Sequence, residues 1–173
     1  MCDFPFGLAT TEAKAALAEM YCSQYDIEDL DIVANYGRLR SGDLDFVIGN
    51  LKPTVEACHK HGTKVKVIIE TDFLTPGQIA DGTRCAIKAG ADYIKSSTGF
   101  VTGVPSVGAT TEVVAKMMEA AEEKIKVKGS GDIRTREHFL ELIDMGVDRM
   151  GVGYRSTSVV LGMSAEEAKK LAE

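Results

Sequence analysis

The sequence has no paired cysteines, no excess of basic charge and no apolar run long enough to cross a bilayer. Each absence removes a class of function. Cys2, Cys22, Cys58 and Cys85 are scattered, without a CxxC pair, whereas zinc sites and dithiol redox centres need thiols at short spacing. They read as free thiols of a reducing compartment. Lys and Arg number 20 against 26 Asp and Glu, a net charge of -6, which repels nucleic-acid phosphates. A transmembrane helix needs about 20 consecutive apolar residues, and no run approaches that. The opening MCDFPFG lacks the basic and apolar regions of a secretory signal. The expected location is therefore the cytoplasm, with neither membrane nor nucleic acid as partner. His59 and His61 form an HxH pair at the end of a helical stretch. Residues two apart on a helix diverge, so the pair reads as surface and no metal site is expected.

What is present is a rhythm of short apolar strand, small-residue loop, amphipathic helix and glycine. The strand-like runs are Asp29–Asn35, Lys64–Glu70, Ala91–Ser97, Lys124–Ser130 and Asp148–Gly153. DFPFG at the start looks like the tail of a further strand. Their ends recur at roughly the spacing of a βα unit. Thr10 or Thr11, Thr110 and Thr135 are placed to cap helices, and Gly90 and Gly146 to end them. Pro53 is expected to open a second helix segment after a short one near Asp43–Ile48. SAEEAKKLAE begins with a capping box from Ser164 to Glu167. Alternating strands and helices imply a parallel sheet. A doubly wound nucleotide-binding sheet usually carries GxGxxG in its first turn, and none follows the first complete strand. The glycines gather instead in GSGD and GVGY, after the last two strands, where barrels hold phosphate. The expected fold is a β/α barrel, one domain over residues 1–173.

Strands covered on both faces should be continuous Val, Ile and Leu, yet here they carry Lys66, Lys95, Lys126, Lys128, Asp29 and Asp31. An unpaired ammonium is too costly to bury. In a barrel the tolerant place is the interior near the C-terminal mouth. Lys64 and Lys126 stand near strand beginnings and read as solvated at the bottom rim. Lys66 reads as a structural partner for Asp29 or Glu70. Lys95 and Lys128 end their strands directly before small residues that leave open space, and for them a functional role is the better reading. An amine attacks a carbonyl only when neutral, and a second ammonium nearby favours that neutral form. The iminium that follows withdraws electrons and weakens an adjacent C–C bond. Asp31 is the candidate proton carrier. Lysine nucleophile, lysine perturber and aspartate shuttle make a complete set for aldol chemistry.

The stretches FPFGLATTEAK, DLDIVANYGRLRSGD, KVKVIIET, AGADYIKSSTGF and VKGSGDIRT closely resemble, in the same order, those of deoxyribose-phosphate aldolases. The resemblance covers nearly the whole chain and is most specific around Lys95. It implies a TIM (β/α) barrel lyase that reversibly splits 2-deoxy-D-ribose 5-phosphate into acetaldehyde and D-glyceraldehyde 3-phosphate, without metal or organic cofactor. By the same resemblance Lys95 is the Schiff-base lysine, Lys128 the lysine that perturbs it and Asp31 the proton relay, while Thr98 lines the substrate pocket. Gly131, Asp132, Gly153 and Arg155 fall where the substrate phosphate is expected.

Three departures accompany it. The family's barrel begins with two more βα units, so about six parallel strands are expected here, in a barrel truncated at its N-terminus. Asp132 stands where the family has a second glycine, and its carboxylate would repel phosphate. Tyr154 is bulky where small residues are usual, although the Arg155 guanidinium suits phosphate oxygens. Two alternatives follow: a related class I aldolase with another aldehyde acceptor, or an inactive truncated fragment. Open sheet edges further predict a homo-oligomer or self-association.

Overall fold

The structure, a computed structural model, describes residues 1–164 and 166–167 of the chain. All five expected strands form, slightly shorter than expected: β1 (Asp29–Val33), β2 (Lys64–Ile68), β3 (Tyr93–Lys95), β4 (Lys126–Ser130) and β5 (Arg149–Gly151). They lie parallel in the order β1-β2-β3-β4-β5. Strands that succeed one another in space as in sequence, without a reversal, have the topology of a β/α barrel. The sheet is curled, because Arg149 of β5 forms an ion pair with Asp29 of β1, four strands away. It is not closed. The sixth expected strand shrinks to one bridging residue, Cys2, which pairs in parallel with Ile32 on the outer edge of β1.

Strand alternation explains the lysines. Leu30, Ile32, Val65, Val67, Ile94 and Val127 are buried on one face, beneath the helices. Asp29, Asp31, Lys66, Tyr93, Lys95, Lys128 and Arg149 alternate with them and meet one another inside the curl. Two aspartates pin the sheet register at its lower edge. Asp92 accepts the Val65 N–H and Asp148 the Val127 N–H, each at 2.8 Å, clamping the start of one strand to its neighbour.

The covering helices begin where the sequence places caps. Thr10, Thr110 and Thr135 cap α1 (Thr11–Gln24), α5 (Thr111–Ala121) and α6 (Arg136–Asp144), each through its hydroxyl. Thr75 and Gln78 form a full capping box on α4 (Pro76–Ala89), which Gly90 ends in a left-handed conformation. Two short helices were not foreseen: α2 (Tyr36–Arg40), capped by Asn35, and α7 (Tyr154–Val160). Pro53 corrects the reading, since α3 runs unbroken from Leu44 to His59 with the proline inside it. Its buried stripe, Val47, Leu51, Thr54, Val55 and Cys58, lies on both sides of Pro53. Packing along one face thus outweighs the lost hydrogen bond. Around the sheet, α1 packs on α3, α3 on α4 and α4 on α5. Ser164 and Glu167 do form a capping box; the rest of that expected helix lies outside the described residues. No described helix is long and apolar enough to cross a membrane.

Candidate active site

The interior charges converge on Asp31. Lys95 Nζ is 2.7 Å from Asp31 Oδ2, Lys128 Nζ is 3.9 Å from the same oxygen, and Lys66 Nζ is 3.3 Å from Oδ1. Lys66 also reaches Asp29 at 3.3 Å. Its carboxylate partners are therefore Asp29 and Asp31; Glu70 binds elsewhere. Sheet register produces this cluster: Lys95 and Lys128 are paired neighbours on β3 and β4, and Asp31 is paired with Lys66 across β1 and β2. Lys64 and Lys126 are exposed, as expected of rim residues. His59 and His61 are exposed too, and each meets its own carboxylate, Asp92 and Glu19.

The electrostatics follow from crowding. Burial works to raise the Asp31 carboxyl, but the neighbouring Lys95, Lys128 and Lys66 ammonium groups outweigh it and hold it below the usual carboxylate range. The Lys128 amine is held below the ordinary lysine value, first by burial and then by the positive charge of Lys95, with Asp31 opposing. Three amines thus share one ionised carboxylate. The cluster can supply a neutral amine and accept a proton beside it.

Beyond the cluster, toward the C-terminal ends of β3, β4 and β5, opens a cleft of about 700 Å³. Thr98, Gly131, Asp132, Gly153 and Arg155 all line it. The GSGD turn forms one wall and is packed tightly against the loop before α5. A Cβ on Gly108 would fall 2.4 Å from the Gly131 carbonyl oxygen, so only glycine fits this approach. Asp132 adopts φ +52, a left-handed conformation that favours glycine. Its carboxylate accepts the Ser106 hydroxyl and the Arg134 guanidinium, and these hold it below the ordinary aspartate value. Arg155 is at the rim, its guanidinium stacked on the exposed Tyr154 ring and donating to the Tyr154 hydroxyl at 2.9 Å.

Sequence reasoning missed several partners. Arg134 answers the Asp132 charge, and the RT of GDIRT was the available signal. Arg149 contacts Asp29 and lies 4.8 Å from the centroid of the Tyr93 ring. Glu70 is buried and accepts both the Thr98 N–H and its hydroxyl.

Residues 23–164 match the model of the DeoC/LacD family aldolase. A deoxyribose-phosphate aldolase of Thermococcus gammatolerans is 40% identical over 148 residues, 86% of this chain and 64% of that protein. Another, from Bacillus cytotoxicus, is 38% identical over 95% of this chain and 70% of that protein. Among solved structures, a tetrameric deoxyribose phosphate aldolase from Aeropyrum pernix superposes with a TM-score of 0.78 at 27% identity, covering 98% of this chain and 67% of that one. The chain thus spans just under two thirds of the Thermococcus gammatolerans relative.

Proposed function

Because the chain belongs to the DeoC/LacD aldolase family, we propose that it is a Schiff-base lyase that reversibly cleaves 2-deoxy-D-ribose 5-phosphate to acetaldehyde and D-glyceraldehyde 3-phosphate. The observation that carries this reading is the pair of lysine amines, Lys95 at 2.7 Å and Lys128 at 3.9 Å from one oxygen of Asp31. In the neutral form Lys95 Nζ adds to the substrate carbonyl, and loss of water gives an iminium. The electrons of the breaking C–C bond flow to that nitrogen, releasing one aldehyde and leaving an enamine. Protonation of the enamine and hydrolysis release acetaldehyde and return the amine. Asp31, kept ionised by its lysine neighbours, takes up and returns the protons, directly or through water. Lys128, paired with Lys95 on the neighbouring strand, brings a second amine to the same carboxylate and is itself held below the ordinary lysine value.

Residues 1–173 act in this reading as one barrel domain whose partners are a small sugar phosphate and an aldehyde. Four unpaired, buried cysteines support a reducing, cytoplasmic setting. A second reading, a class I aldolase with a different acceptor aldehyde, is favoured by the Asp132–Arg134 pair at the phosphate end of the cleft.

Covalent capture tests the assignment. Acetaldehyde or the deoxysugar phosphate with borohydride should fix an adduct on Lys95, located by peptide mass spectrometry. An adduct on Lys128, or labelling undiminished in Lys95→Ala, refutes it.

A further inference from the structure

Glu70 is 1% exposed at the end of β2, and among the described residues no cation pairs with it. Burying a carboxylate without an ion partner is costly. Its backbone is also left-handed, at φ +55, a conformation that a glutamate rarely adopts. Two unfavourable features at one residue call for a compensating contact. The contact is Thr98, whose N–H donates to Glu70 Oε2 at 3.2 Å and whose hydroxyl donates to the same oxygen. Thr98 lies three residues beyond Lys95 and lines the cleft.

The direction of these bonds matters. A threonine hydroxyl has one proton and two lone pairs. The proton is committed to Glu70, and one lone pair accepts the Phe100 N–H at 3.0 Å. What remains for the cleft is a single lone pair. Thr98 can therefore accept a hydrogen bond from a bound molecule but cannot give one.

We propose that Glu70 is a positioning residue that fixes the Thr98 hydroxyl as an acceptor, so that the cleft selects acceptor aldehydes bearing a hydroxyl donor. The inference rests on the aldolase reading above. The half-buried Thr98 acceptor is cut off from water when a molecule fills the cleft, and a deoxy analogue that leaves it unpaired there loses binding. An aldehyde with a hydroxyl near its carbonyl satisfies it, and an unsubstituted aldehyde does not.

Competition between acceptors tests this. The full chain is incubated with excess acetaldehyde and equal amounts of D-glyceraldehyde and propanal, and the two cross-aldol products are counted by mass spectrometry. The native protein should favour the glyceraldehyde product. Glu70→Gln, whose amide can donate to the Thr98 oxygen and release the hydroxyl proton, should reduce that preference about tenfold, the worth of roughly one hydrogen bond. Thr98→Val should do the same, and Thr98→Ser should keep the preference. In the Thr98→Val background Glu70→Gln should add nothing, an outcome that a merely structural glutamate would not give. An unchanged product ratio in Glu70→Gln, with the borohydride adduct still forming on Lys95, overturns the proposal. If Glu70→Gln does not fold, an unchanged ratio in Thr98→Val overturns it equally. Absence of any Lys95 adduct in the native protein marks instead the failure of the aldolase reading, and the proposal falls with it.

Discussion

At the scale of single residues, the site is governed by charge crowding. The coulombic repulsion that holds the Lys128 amine below its ordinary value comes in part from Lys95, and such repulsion is mutual. Lys128→Leu removes the amine that is held low and the like charge beside Lys95, so the pH–rate profile should move to higher pH. A profile that stays in place would show that the two amines are uncoupled. Asp132 offers a second prediction. Its left-handed backbone suits glycine, and its carboxylate engages Arg134. Asp132→Gly should therefore free that guanidinium for a phosphate and lower the KM for the phosphorylated sugar more than for unphosphorylated deoxyribose. Equal effects on both substrates would mean that residue 132 does not address the phosphate.

At the scale of elements, the tie between α1 and the sheet is a buried lysine. Lys14 is fully buried, donating to the Val33 carbonyl at 2.8 Å and Asn50 Oδ1 at 2.7 Å, and lies 3.0 Å from Asp3 Oδ2. One ammonium thus joins α1, α3, the end of β1 and the opening loop. Lys14→Met removes the cation and leaves three acceptors facing an apolar chain, so it should lower unfolding stability by about 3–5 kcal/mol. Urea denaturation measures this, and a loss under about 0.5 kcal/mol would show the tie to be dispensable. Nothing in TEAKAALAEM points to it, because a lysine between alanines looks like any solvated helix residue. The lysines of the proposed site were legible for the opposite reason, since they interrupt strands that otherwise read as core. Caps were legible because Thr10, Thr110 and Thr135 act on groups three residues away. Pro53 misled because local preference says nothing of the stripe that packs on both sides of it. Arg149 and Glu70 were missed because their partners lie 120 and 28 residues away, the first brought near by the curl of the sheet and the second by the pairing of β2 with β3.

At the scale of the whole molecule, the open side of the curled sheet decides how the protein behaves. Beyond β5 no described strand completes the hydrogen bonding, and on the far side only Cys2 bridges β1. Unpaired strand edges recruit other chains. Leu140 and Ile143 of α6, beside that gap, are 42% and 46% exposed, and Val159 and Leu161 near α7 are 51% and 55% exposed. These side chains add an apolar surface next to the polar edge, and together they favour association between copies. The 173-residue chain by itself should therefore be self-associated, with a turnover well below that of a closed barrel. A curl held at one side by few contacts leaves the Lys95–Lys128–Asp31 geometry free to loosen, and small misplacements are costly in rate. Two βα units fused ahead of Met1 should cover the edge and restore both solubility and turnover. Light scattering across a dilution series, read beside the rate of acetaldehyde release, measures both effects. A monodisperse monomer with a sharp thermal transition and a rate that the fused units do not improve would show that five strands suffice to hold the site.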